Sequence, residues 1–237
     1  MNWIRKNIPN LFTILNLLLG VMGIHAILTG DTGVAPTIHY YVFAAAFFDL
    51  FDGLLARKLN VASEFGMQLD SLADLITFGV LPTFIYGSFV GLEGWGLLLL
   101  SVPICSAIRL AVFNTDASQT TSFKGISTTA HGLFAAVIPI IMYNQSSWFA
   151  QYFDGNNIAM ISLALFFSFL MVSPLRMMSF KFENLSIKDN WERFLLILSA
   201  IVLIAVWQYD AAPFIILIYI LLSLMHYFKG VSSNSKR

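Results

Sequence analysis

Charge is what this sequence has least of. Only 11% of its 237 residues are Asp, Glu, Lys or Arg, against roughly 25% in ordinary soluble domains. So few charges cannot cover a globular surface in water, and the mean hydropathy of +0.77 points the same way. A soluble domain is thereby excluded. Cysteine is nearly absent: Cys105 stands alone in an apolar run, which rules out an internal disulfide framework and a cysteine-based zinc cluster. Net charge is missing too, with 13 basic and 13 acidic residues, so no basic excess points to a nucleic-acid partner. Long linkers, low-complexity segments and convincing repeats are also lacking, and residues 1–237 read as one domain.

What remains is apolar, in runs of membrane length. A spanning helix needs about 20 mostly apolar residues. Eight stretches approach that length: Leu11–Thr29, Ile38–Ala56, Met67–Val90, Trp95–Phe113, Ala130–Tyr143, Ile158–Val172, Phe194–Trp207 and Ala212–Phe228. The fifth, sixth and seventh are short and must borrow flanking polar or aromatic residues. The fold class expected is all-α, a polytopic membrane bundle of about eight helices. The first apolar run is too long for a cleaved signal and has no clear small-residue cleavage site, so it reads as a retained helix. The tryptophans Trp3, Trp95, Trp148, Trp191 and Trp207 read as an interfacial belt.

The basic residues give an orientation. With alternating helices, all 13 Lys and Arg fall on one side, before the first helix, after the last, and in the loops that hold Arg57, Lys58, Lys124, Arg176 and Arg193. The opposite loops hold Asp31, Glu93, Asp154 and Asp210 and no base. By the positive-inside rule both termini are cytoplasmic.

Four acids break this pattern by sitting inside helices. Asp49 and Asp52 lie near the end of the second helix, Asp70 and Asp74 near the start of the third. A single aspartate at a helix centre costs about 2.5–3.5 kcal/mol on insertion scales, so four need mutual partners or a bound ion. Asp49, Asp52 and Ala56 share one helical face, and Gly66, Asp70 and Asp74 share another. At ~1.5 Å per residue from the interface, Asp52 and Asp70 lie ~6–8 Å deep and Asp49 and Asp74 ~12 Å deep. Matching layers of carboxylate oxygen suit hard cations, Mg2+ or Mn2+, acting with substrate phosphates. Gly53, Ala56 and Gly66 keep those faces free of bulk, and Arg57 offers a guanidinium at the mouth for a phosphate. A carboxylate-lined cation pathway in a transporter satisfies the same residues, and physics alone leaves both open.

The spacing D-x2-D-G-x2-A-R-x8-G-x3-D-x3-D is met in full by Asp49, Asp52, Gly53, Ala56, Arg57, Gly66, Asp70 and Asp74, and it resembles the signature of the CDP-alcohol phosphatidyltransferases, membrane enzymes of phospholipid synthesis. The resemblance implies two metal ions held by the four aspartates, with Asp74 also the general base, and cytidine diphosphate bound around Gly53, Ala56, Arg57 and Gly66. Further stretches resemble the serine-using branch of that family: Ile8 to Gly20, Arg109-Leu-Ala-Val-Phe-Asn114, and Ser122 to Ala130, with a fainter piece at Ser179 to Asn184. Val112 replaces a base usual there, and Ser127 and Thr129 stand where prolines are common. The resemblance implies transfer of a phosphatidyl group from CDP-diacylglycerol to L-serine at the plasma membrane, by a homodimer with its site facing the cytoplasm. Glycerol 3-phosphate or an inositol phosphate is the alternative acceptor.

Arg109 and Lys124 are the bases outside the motif that an acceptor carboxylate or phosphate can use, or they are interfacial anchors. Asn10, Thr13 and Asn16, three apart on the first helix, line the nucleotide site or bond to a neighbouring helix. His131 reads as a helix-start histidine without a chemical role.

Overall fold

The computed structural model describes residues 2–30, 35–116, 123–178 and 187–234. Asp31, Gly33, Ser122, the Ser179 to Asn184 stretch with Lys181, and Lys236 and Arg237 lie outside them. The helices are α1 (Asn2–Leu28), α2 (Ile38–Lys58), α3 (Glu64–Asp74), α4 (Leu81–Val90), α5 (Ser101–Thr115), α6 (Thr128–Tyr143), α7 (Trp148–Phe153), α8 (Asn157–Val172), α9 (Ile187–Trp207) and α10 (Ala212–Asn234). Among the described residues there is also a two-residue antiparallel ladder, β1 (Phe123–Lys124) against β2 (Arg176–Met177).

Among the described residues, five continuous stretches are long and apolar enough to cross a membrane: Arg5–Leu28, Ile38–Lys58, Glu64–Val90, Gly94–Thr115 and Trp191–Met225. The last is two helices, because Gln208 takes a left-handed φ of +50° and a 3-10 turn, Gln208–Ala211, separates α9 from α10. With the shorter apolar α6 and α8, these stretches fit the all-α polytopic membrane bundle that the apolar runs predict. α6 and α8 remain short at 16 residues each. Helix ends differ more: α1 begins at Asn2, well before Leu11, because an apolar run marks what lipid covers and not where backbone hydrogen bonding stops.

Large apolar side chains are distributed inside and out. Phe78, Leu81, Ile85, Tyr86, Phe134, Ile138, Ile141, Met160 and Phe167 form the packed interior, while Leu11, Ile14, Leu18, Phe47, Leu50, Ile104 and Ile108 face outward. An apolar exterior is the expected result when lipid is the solvent, and helix contact then depends on close packing. Gly20 illustrates this: a Cβ there would fall 2.3 Å from Thr77 Oγ1, so only glycine lets α1 approach the third span so closely.

That third span, Glu64–Val90, is the most enclosed of the five. Between α3 and α4 it widens into a π-helical turn, Leu75–Val80, in which the Leu81 N–H reaches back to the Ile76 carbonyl. Pro82 has no N–H to continue the ordinary ladder, which gives the wide turn a local cause. Asp74 is the last residue before it. At the opposite end of the bundle, Ser147 and Asn144 bond to Asp210, and Tyr209 meets His39 at 3.3 Å.

Candidate active site

The link between α2 and α3 sets the acidic residues face to face. Asn60 takes a left-handed φ of +54°, and the Asn60 and Val61 N–H groups bond back to the carbonyls of Arg57 (3.2 Å) and Ala56 (3.0 Å). Ser63 then caps α3, its Oγ accepting from the Gly66 N–H at 3.1 Å. The chain so reverses in a few residues, and the carboxylates near the end of α2 meet those in the second half of α3, with both helices packed on α1.

One carboxylate oxygen from each of Asp49, Asp70 and Asp74 lies within 4.8 Å of the others. Asp74 is buried, and Asp70 Oδ1 is a buried oxygen with no hydrogen-bond partner. Three converging carboxylates, one of which carries an unsatisfied buried oxygen, fit a hard divalent cation. Asp52 stands beside this trio: its Oδ2 accepts from the Thr13 hydroxyl at 2.6 Å. Asn16, wholly buried, donates to Asp74 Oδ1 at 3.1 Å, and its carbonyl accepts from Thr77 in the π-helical turn at 3.1 Å. Thr13 and Asn16 therefore do bond across helices, and each does so to a motif aspartate.

The predicted nucleotide residues share one cleft of about 180 Å³, lined by Asn10, Thr13, Asp52, Gly53, Ala56, Arg57, Gly66 and Asp70 among others. A Cβ on Gly66 would sit 3.2 Å from Asn10 Oδ1 and 3.3 Å from Ser63 Oγ, tighter than ordinary contact. Asn16 lies outside this lining and belongs to Asp74.

Arg109 and Lys124 are elsewhere, in a second pocket of about 200 Å³ with Ile108, Val112, Met171, Val172, Ser173 and Pro174. Arg109 Nη1 donates to Thr128 Oγ1 at 3.2 Å, and its Nε is buried without a partner. Lys124 Nζ is 3.3 Å from Asp116 Oδ2. Val112 forms part of this wall. Ser127, where proline is common, is the N-cap of α6, accepting from the Ala130 N–H at 3.0 Å. His131 is buried with its Nε2 3.2 Å from the Tyr86 hydroxyl, away from both pockets' linings.

Sequence reasoning missed a tie between α5 and α3. Asn114 at the end of α5 donates to Ser71 at 2.8 Å, and Ser71 lies between Asp70 and Asp74 on α3. Asn114 closes the Arg109 stretch already singled out, so its position was visible and its partner was not.

The family model for CDP-alcohol phosphatidyltransferase matches residues 6–172. The chain belongs to that family. The match spans both pockets' principal residues and favours group transfer over a cation pathway. Among similar curated proteins, one from Bacillus subtilis (strain 168) is 33% identical over 181 residues, covering 73% of this chain and 91% of that protein. One from Helicobacter pylori (strain 26695) is 33% identical over 226 residues, covering 92% and 90%. One from Methanocaldococcus jannaschii is 35% identical over 116 residues, covering 46% and 51%. Each is named CDP-diacylglycerol–serine O-phosphatidyltransferase. The chain is thus an integral membrane enzyme of a family that uses divalent metal ions, a CDP-linked lipid donor and an alcohol acceptor.

Proposed function

We propose that this enzyme transfers the phosphatidyl group of CDP-diacylglycerol to L-serine, yielding phosphatidylserine and CMP. The observation that carries the choice of serine is the likeness, over nine-tenths of the chain, to a relative named for that acceptor. A base-lined pocket on α5, whose end bonds to the acidic α3, supports it.

In this reading the donor's cytidine diphosphate lies in the cleft of Gly53, Ala56, Arg57 and Gly66, with Asn10 and Thr13 on its α1 side. Asp49, Asp52, Asp70 and Asp74 hold divalent ions, Mg2+ or Mn2+ and two in number, which when bound neutralise diphosphate charge. Asp74, oriented by Asn16, takes the proton of the acceptor hydroxyl. The hydroxyl oxygen forms a bond to the lipid-bearing phosphorus as the bond from that phosphorus to the CMP oxygen breaks, and CMP leaves with the electron pair. Arg57 offers paired N–H donors to phosphate oxygens. Arg109 and Lys124 attract the acceptor carboxylate, and the buried Arg109 Nε is a donor in need of such a partner.

The placement of the bases supports a site facing the cytoplasm at the plasma membrane, with both termini on that side. A single domain over residues 1–237 and a homodimer complete the proposal. Purified full-length protein supplied with CDP-diacylglycerol, Mn2+ and labelled serine, glycerol 3-phosphate or inositol phosphate tests the acceptor. Serine-dependent CMP release with label entering lipid is expected. Release with a phosphorylated alcohol instead would replace serine, and no release with any of the three would overturn the assignment.

A further inference from the structure

Two buried polar side chains of α10 have no part in the chemistry above. Ser223 is fully buried and Tyr219 nearly so, and both grip one residue of another segment. Ser223 Oγ accepts from the Met178 N–H at 3.1 Å, and the Tyr219 hydroxyl donates to the Met178 carbonyl at 3.2 Å. Met178 directly follows β2, whose Arg176 and Met177 pair with Lys124 and Phe123 of β1.

The contact continues beyond the two strands. The Gly125 N–H donates to the Leu175 carbonyl at 2.8 Å, and the Ile126 N–H to the Leu170 carbonyl at 3.2 Å. Gly125 has a φ of +71°, and a Cβ on it would fall 2.2 Å from the Met171 carbonyl oxygen, so this approach admits no side chain. Ser127 next caps α6, and Thr128 receives the Arg109 hydrogen bond. A connected run of side-chain and main-chain hydrogen bonds leads from α10 to both bases of the second pocket. Met171, Val172, Ser173 and Pro174, its other wall, lie within that run.

We infer that Tyr219 and Ser223 are positioning residues: by clasping Met178 they hold the turn between α8 and β2 against β1 and set the shape of the acceptor pocket. α10 thereby governs affinity for the acceptor alcohol and leaves affinity for the CDP-linked donor untouched. The inference rests on the reading of the Arg109 and Lys124 pocket as the acceptor site. Its physical basis is that a two-residue ladder has little stability of its own. A buried N–H or carbonyl that loses its partner must find another or move.

The test is steady-state kinetics on the purified full chain, with both substrates varied, for Tyr219→Phe, Ser223→Ala, Ser223→Thr and Arg109→Ala. Removing either α10 hydroxyl is expected to raise the serine KM about five- to tenfold, as for one lost buried hydrogen bond, with the CDP-diacylglycerol KM unchanged. Ser223→Thr, which keeps the hydroxyl, is expected to restore the serine KM. Thermal unfolding of each variant, followed in parallel, separates positioning from general loosening. Equal changes in both KM values, or none in Tyr219→Phe and Ser223→Ala, would overturn the clasp. If Arg109→Ala also leaves the serine KM unchanged, the acceptor-site reading fails first; if Arg109→Ala raises it and the α10 variants do not, the clasp alone fails.

Discussion

The acid-lined cleft and the base-lined pocket draw on α3 and α5, helices bonded to each other through Ser71 and Asn114, yet they are assembled in opposite ways. The cleft draws its motif residues from 26 consecutive positions, Asp49 to Asp74, on two helices joined by one tight turn, with α1 laid across them. The pocket is gathered from α5, β1 and the end of α8, with α10 behind it. Its walls are held by a short ladder and single hydrogen bonds. A site on adjacent helices inherits their geometry, whereas a site gathered from distant segments depends on whatever ties them together.

Substitutions can break that comparison in stages. Asp74→Asn removes the proposed base and should lower kcat at least about a thousandfold. Circular dichroism would check that the helices persist, and near-normal turnover would remove Asp74 from that role. Next in size, Arg109→Ala should raise the serine KM roughly tenfold to a hundredfold, the range for a hydrogen bond to a charged group. Thr13→Val takes away the 2.6 Å bond to Asp52 while keeping the side chain's shape. It should raise the CDP-diacylglycerol KM about three- to tenfold. Lys124→Ala should have the smallest effect, about twofold on the serine KM at low salt, because Lys124 is half exposed and already paired with Asp116.

The same contrast governs what could be read in advance. Asp49, Asp52, Asp70 and Asp74 were legible because helical periodicity converts sequence spacing into a shared face, and a short turn makes two such faces meet. Even so, spacing placed all four acids in matching layers, while Asp49, Asp70 and Asp74 converge and Asp52 turns to Thr13. Asn10, Thr13 and Asn16 were visible as a polar stripe, but the partners of Thr13 and Asn16 lie 39 and 58 residues away. Tyr219 and Ser223 gave no signal. They stand in an apolar helix, and their partner Met178 is more than 40 residues distant with no periodicity to announce it. The π-helical turn after Asp74 was likewise unread, although Pro82 supplied its cause.

Division of labour between the cleft and the pocket is tested most directly by measuring both KM values in Thr13→Val and in Arg109→Ala under one set of conditions. The expected result is a crossed pattern: Thr13→Val raises the KM for CDP-diacylglycerol alone, and Arg109→Ala raises the KM for serine alone. Parallel changes in both constants in either variant would contradict it and would make the two pockets parts of one undivided site.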